Sequence, residues 1–329
     1  MKINNYHRFF IGTVGAMTML AFLLPTGEAN ALEPAEAPET VGTVVYSEVV
    51  NPRIPTSMKF AGKKVDLDKT DRWERLDREL TAMAYTHGNT LLAIKRANRY
   101  FPILAPILKK NGVPDDLIYL AVIESTLNPK ALSGAKAGGL WQFMPSTGKE
   151  YGLEVNDYVD ERYDPVKATE AACRYLKNSY AKYGNWESVA ASYNGGMARI
   201  SNELAAQQVD TAYDLYLADE TMRYMFRLLA MKLILENPRE FGFRIAADQL
   251  YQPIDYTAVE VNTPVEDWPT WAKEHGIDYM TLRDHNPWIR AKSLPNKSGK
   301  TYIVNIPSKD SLSRARQKKT VYNPAWVTD

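Results

Sequence analysis

Cysteine is all but missing from this sequence. Cys173 is the only one in 329 residues, so no disulfide within the chain is possible, and it is expected to pack as a small apolar side chain in a helix. Histidine is also scarce. The four are scattered, none forms a His-x-x-x-His pair, and without cysteine pairs no metal-ligand spacing exists, so neither a metal nor any other cofactor is expected. No glycine loop has the form that cradles phosphates. Neither sign of charge is in excess: 40 Lys and Arg stand against 39 Asp and Glu, which argues against a nucleic-acid partner. There is no internal repeat and no low-complexity tract. What remains, 45% hydrophobic and 24% charged residues, suits one large domain plus a small one.

The N-terminus carries the marks of an export signal over residues 1–31. Lys2 and Arg8 precede an apolar run from Phe9 to Leu24, and Ala29-Asn30-Ala31 is a small-residue cleavage site. An uncleaved anchor is the rival reading, but the run is shorter than the roughly 20 residues that a bilayer span needs. No cysteine follows the cut, so lipid attachment there is excluded and a soluble, exported, periplasmic protein is expected. Removing Lys2, Arg8 and Glu28 takes away one net positive charge and leaves the mature chain near neutral.

Beyond the signal, residues 32–70 begin as an extended, Pro- and Glu-rich lead-in. From Asp71 the pattern turns helical, with Trp73, Leu76, Leu80 and Met83 at helical spacing. The next apolar stripe runs from Leu91 to Ile103, with Pro102 and Pro106 expected to start a new turn or kink it. Gly112 is a plausible stop and Pro114 a first-turn start, with Asp115 and Asp116 favouring the new N-terminus. Further helices are expected at about 165–183, 187–194, 196–207 and 219–236, so residues 71–250 form a mainly α domain. Then the texture changes. "DYTAVEV" and "TYIVNIP" alternate like strands and flank two short helical stretches, giving a small α+β module over 251–310. Residues 311–329 are polar and basic and are expected to be a flexible tail.

Chemistry concentrates around one carboxylate. In "PDDLIYLAVIEST", Leu117, Ile118, Leu120 and Ala121 lie seven, six, four and three residues before Glu124, which places it on the apolar stripe of its helix. A carboxyl held there is partly desolvated, so its pKa rises and it can keep a proton near neutrality, as a general acid must. The alternative is a half-exposed glutamate near a helix end. In the loop that follows, Ser133, Gly134, Gly138 and Gly139 are small enough for close backbone approach to a ligand. Trp141 and Phe143 can offer stacking faces, with Gln142 and Ser133 as hydrogen-bonding groups. Equally, the loop can be a simple connector with Trp141 in the core.

"ESTLNPKALSGAKAGGLWQFMPSTGKEYGL", then "ASYNGG", then "ETMRYMF" resemble the successive motifs of bacterial lytic transglycosylases with a goose-lysozyme-like fold, of the membrane-bound lytic murein transglycosylase D type. The resemblance covers roughly residues 56–245. It implies that Glu124 is the lone catalytic acid and base and that Ser133 sits near the scissile sugar. Gly139, Leu140, Trp141 and Gln142 would line the glycan cleft, and Tyr193 and Asn194 would face Glu124. Tyr224 would be a later site tyrosine. Core packing with a satisfied hydroxyl is the alternative for both tyrosines, and Met144 either lines the cleft or fills the core. Ordinary glycosidases pair two carboxylates. No second acid stands in a matching role, so the resemblance implies that the substrate's own C6 hydroxyl attacks C1 and closes a 1,6-anhydro-MurNAc ring.

"VEVNTPVEDWPTWAKEHGIDYMTLRDHNPWIRAKSLPNKSGKTYIVNIP" resembles a LysM peptidoglycan-binding module, from Leu282 to Asn286 and at the final Ile-Pro. It departs at its first turn, where Pro264-Val265-Glu266-Asp267 stands. A docking module that buries Trp268, Trp271 and Trp288 against the catalytic domain is the alternative. The expected fold is therefore mainly α, a goose-lysozyme-like helical domain plus a LysM-like module. The partner is peptidoglycan glycan strands and the chain is expected to act as a monomer. A lysozyme-like muramidase and a non-catalytic envelope glycan-binding protein are the competing functions.

Overall fold

In the computed structural model, residues 51–328 are described, so the export signal lies outside them. The lead-in ends in a hairpin. Strand β1 (Ser57–Phe60) pairs antiparallel with β2 (Lys63–Asp66), and the turn uses Ala61 and Gly62, both at positive φ, as a two-residue hairpin loop requires. Alternation puts Met58, Phe60 and Val65 inward, onto the helical core.

Helix α1 (Thr70–Tyr85) buries Leu76, Leu80 and Ala84. Trp73, expected on that stripe, is 41% exposed, because it lies in the first turn at the edge of the packed face. Helix α2 (His87–Lys110) runs unbroken through Pro102 and Pro106, so neither proline starts a new helix. The two rings sit one turn apart on the exposed face. Opposite them, Ala93, Ile94, Ala97, Phe101, Leu104 and Leu108 are buried, and that packing outweighs the lost backbone hydrogen bonds. A short 3-10 turn (Asp115–Leu117) leads into α3 (Ile118–Ser125), whose first five residues are all buried.

The remaining helices start and stop on local signals. After α4 (Pro145–Glu150) comes α5 (Pro165–Tyr183), where the Asp164 carboxylate accepts from the backbone N–H groups of Val166 and Lys167. Pro165 opens the first turn and Gly184 closes the helix in the left-handed region. Cys173 is buried within α5, and burial pushes its thiol up to about 12, so it packs as an inert apolar group. Helices α6 (Trp186–Gly195), capped by Asn185, and α7 (Met197–Gln207) precede α8 (Asp219–Glu236). Helix α8 packs on α1, α3 and α6, and α5 packs on α2 and α6, so the short α3 is held from several sides.

The C-terminal module is strand β3 (Tyr256–Val261), helices α9 (Trp268–Glu274) and α10 (Tyr279–His285), and strand β4 (Tyr302–Pro307). The strands pair antiparallel from Tyr256↔Pro307 to Val261↔Tyr302. Asp267, in the turn that departs from the LysM pattern, caps α9 by accepting from the Thr270 N–H. Trp268 and Trp288 lie in the module's own core and Trp271 stacks on His275, so the alternative of a tryptophan dock does not occur. The module instead meets residues 154–163 edge to edge. Asp160 N–H donates to the Trp288 carbonyl and Arg290 N–H to the Tyr158 carbonyl, both at 2.9 Å. Lys300 reaches Glu154 and Glu161, and Val159 completes the module's core.

The tail is not loose. Trp326 is fully buried, donates through Nε1 to the Leu235 carbonyl at 2.6 Å, and packs with Tyr322 against Phe101. Asn98 on α2 binds the Tyr322 N–H and the Thr320 carbonyl. The basic run before Thr320 dominates the tail's composition, whereas the apolar "VYNPAW" that follows decides its fate.

Candidate functional site

Glu124 sits in the last turn of α3, which ends abruptly. Thr126 and Leu127 are both left-handed, at φ 53° and 52°, a strained pair that turns the chain straight into the shelf loop. From α8, the Tyr224 hydroxyl donates to Glu124 Oε1 at 2.7 Å. Burial pushes the Glu124 carboxyl up from the ordinary 4.5 to about 7. The Tyr224 hydrogen bond and the charge of Arg227 pull the other way, and Glu220 adds to the rise. Arg227 forms no salt bridge with Glu124, because Glu79 on α1 holds it. That carboxylate is buried and binds Arg223 Nε at 2.7 Å and Arg227 Nε at 3.6 Å. The stripe position of Glu124 therefore has the predicted consequence, a carboxyl that retains its proton near neutral pH.

The shelf is tied to α3 and to the segment behind it. Ser125 Oγ donates to the Leu140 carbonyl at 2.9 Å. Ser133 Oγ accepts from the Ala137 N–H at 2.9 Å and closes a tight turn. Gln142 is left-handed at φ 49°, and its side chain folds back onto the carbonyls of Gly139 and Ala131. Arg162 anchors the whole. Its guanidinium forks onto the Asp160 carboxylate at 2.7 and 2.9 Å, and donates to the carbonyls of Lys136 and Phe143.

This anchoring explains the glycines differently from the sequence expectation. A Cβ on Gly139, which is at φ 78°, would lie 1.8 Å from the Arg162 carbonyl oxygen, and one on Gly138 would crowd the Arg162 guanidinium and Tyr163 ring at 3.2 Å. These two glycines let the shelf approach its own support; only Gly134 faces open space.

The aromatic residues of the loop are likewise not ligand platforms. Trp141 is fully buried and donates through Nε1 to Thr169 Oγ1 at 2.9 Å, and Phe143 and Leu140 are buried beside it. The connector reading of Trp141 is the correct one, because its indole fills the core over α5. The Tyr193 hydroxyl donates to the Trp141 carbonyl at 2.7 Å rather than to Glu124. Burial and the nearby Glu124 charge hold the hydroxyls of both Tyr193 and Tyr224 protonated far above neutrality. Asn194 is exposed, Met144 is 41% exposed, and Ser133 and Gln142 are half-buried.

Tyr224, Glu124 and the shelf thus come together, with Tyr193 bridging to the shelf backbone. The sequence reading missed Glu79, Arg227, Asp160 and Arg162. The Arg223 and Arg227 pair, one turn apart on α8, was the available signal for the first two.

Residues 101–215 match the transglycosylase SLT domain, and residues 257–310 match the soluble lytic transglycosylase C-terminal LysM-like domain. Glu124, the shelf, Tyr193 and Asn194 fall within the first match, whereas Tyr224 lies beyond it. The chain is 31% identical to membrane-bound lytic murein transglycosylase D of Escherichia coli (strain K12) over 253 residues, 75% of this chain and 54% of that protein. It is 32% identical to membrane-bound lytic murein transglycosylase C of Yersinia enterocolitica over 121 residues, covering 32% and 34% of the two chains. The chain therefore spans about half the length of the first of these relatives. The 70 kDa soluble lytic transglycosylase of Escherichia coli aligns over 52% of this chain and 33% of its own, at 21% identity. The TM-score of that alignment is 0.38.

Proposed function

The chain carries an SLT transglycosylase domain followed by a LysM-like domain, and we propose that it is a peptidoglycan lytic transglycosylase. It cleaves the β-1,4 bond between MurNAc and GlcNAc and leaves 1,6-anhydro-MurNAc ends. The observation that carries this reading is the single carboxyl of Glu124, raised to about 7 and hydrogen-bonded by Tyr224. The other carboxylate that raises it, Glu220, is exposed at the first turn of α8 and is not held against it by any hydrogen bond.

Protonated Glu124 gives its proton to the glycosidic oxygen as the C1–O bond breaks. The carboxylate so formed is stabilised by the Tyr224 hydroxyl and the Arg227 charge. It then takes the proton of the C6 hydroxyl as O6 bonds to C1, so that one group serves in both steps. A pKa near 7 suits both roles, since neither protonation state is costly at neutral pH. Ser133, Gln142, Met144 and Asn194, with the shelf backbone, hold the strand. Leu140 and Trp141 are buried and support the shelf, their carbonyls accepting from Ser125 Oγ and the Tyr193 hydroxyl.

The enzyme works outside the cytoplasm, in the periplasm, after removal of residues 1–31. That reading rests on the N-terminal sequence, and N-terminal sequencing of envelope fractions tests it. Among the described residues no helix is long and apolar enough to cross a membrane.

The activity test is mass spectrometry of digested peptidoglycan. The intact protein should yield anhydro ends, one water lighter than reducing ends, and Glu124→Gln should lose at least about 100-fold in rate with its circular dichroism unchanged. Reducing ends would make the protein a hydrolase, and the absence of cleavage a glycan binder.

A further inference from the structure

A cavity of about 760 Å³ opens where α2, the loop after α3, the C-terminal module and the tail meet. Its volume lies in the range of small-molecule and short-peptide sites. From α2 it receives Arg96 and Arg99, one turn apart, and neither guanidinium has a carboxylate partner among the described residues. Arg96 Nη1 donates to the Thr126 carbonyl at 3.0 Å, and Arg99 Nε to the Gln252 carbonyl at 2.9 Å, while Arg99 also hydrogen-bonds the Tyr100 side chain. Arg99 also lies over the Tyr251 ring, 5.5 Å from its centroid, which fixes the plane of its remaining donors.

The acids in the wall are already engaged. Asp284 binds Lys130, and Asp164 accepts the first backbone N–H groups of α5. The residual field is positive. Burial first, and then the Arg99 charge, hold His285 in the same wall below its ordinary value, with Asp284 opposing and Lys130 adding a little. Between the charges the wall is apolar and aromatic, from Tyr100, Ile103 and Tyr256.

Two half-buried guanidinium groups with free edges, in a concave site with apolar walls, match a ligand that carries carboxylates on a short, partly apolar frame. We propose that this cavity binds the carboxylates of a short peptide, and that the peptide is the stem attached to the muramic residues of the strand cut at Glu124. The identity of the peptide rests on the proposed function; the carboxylate chemistry does not. One bond links the cavity to the helix end that carries the acid, since Arg96 holds the carbonyl of Thr126, two residues past Glu124. Its walls come from both domains and the tail, so an occupied cavity ties the three together.

Calorimetric titration of the full chain with a synthetic stem tetrapeptide tests this without requiring any cleavage. The peptide with free carboxylates should bind, and its fully amidated form should bind at least about tenfold more weakly. Arg96→Gln and Arg99→Gln should each weaken the free peptide by a similar factor, with melting curves showing that the variants fold. Digestion of peptide-bearing strands by Arg99→Gln should show a raised KM, with digestion of peptide-free strands unchanged. Equal affinity for the free and amidated peptides overturns the proposal, as does displacement by inorganic phosphate at matched concentration or failure of the free peptide to bind. If a variant does not fold, the amidated peptide still decides. A protein that binds the peptide but cuts no glycan would leave this site standing and remove only the proposed activity.

Discussion

Glu124→Gln should make the protein more stable at pH 8 and leave it almost unchanged at pH 4.5. In the folded chain the Glu124 carboxyl titrates at about 7, against an ordinary 4.5. Between those values the folded state holds a proton that the unfolded chain has released. Its contribution is fully present below pH 4.5, declines as pH rises, and is gone above about pH 7. At about 1.4 kcal/mol per pH unit the whole span amounts to roughly 3 kcal/mol. Glu124 is only half-buried over the whole residue, so about 2–3 kcal/mol is expected. Glutamine keeps the shape, accepts the Tyr224 hydrogen bond through its amide oxygen and cannot ionise. The difference between variant and parent should therefore grow by that amount from pH 4.5 to pH 8, equivalent to roughly 4–10 °C in Tm. Urea unfolding at pH 4.5, 6, 7 and 8 measures it. Parallel stability profiles for the two proteins would show that Glu124 titrates as an ordinary carboxyl, and the acid role built on its burial would fall with it.

Tyr224→Phe removes a hydrogen bond that favours the carboxylate. The basic limb of the pH–rate profile should move upward by about one pH unit, given the worth of a hydrogen bond to a charged group; a limb that stays or moves down contradicts the assigned geometry. Gly139→Ala places a methyl 1.8 Å from the Arg162 carbonyl at a left-handed position, so the shelf must shift. Losses of about 3 kcal/mol or more in stability and most of the activity are expected in melting and digestion assays. Trp326→Ala should cost about 3–5 kcal/mol by urea unfolding, because the indole is fully buried and its N–H leaves the Leu235 carbonyl unpaired. A change under about 1 kcal/mol would mean that the tail contributes little to the core.

Much of this protein is written locally. The spacing of apolar residues marks α5 and α8 almost to the residue. The Asp164-Pro165 start and the Gly184 stop are properties of a few adjacent groups, legible without any knowledge of the fold. The same holds for the module, whose strand alternation and Asp caps lie within short stretches, and for the stripe position of Glu124. What local pattern cannot supply is a partner that lies far away in the chain. Tyr224 meets Glu124 across a separation of 100 residues because α8 packs on α3. Glu79 withholds Arg227 from the site across another long separation, which leaves the acid unpaired and lets burial set its pKa. The glycines of the shelf looked like room for a ligand until Arg162 was placed beneath them, and Trp141 could face either way until Thr169 offered its hydroxyl inside the core. Pattern and propensity act between neighbours, so the sequence alone determined the helices, the module and the candidate acid. Desolvation, charge partnership and the direction of a side chain depend on what is brought near through space, and those only the packing of the helices decided.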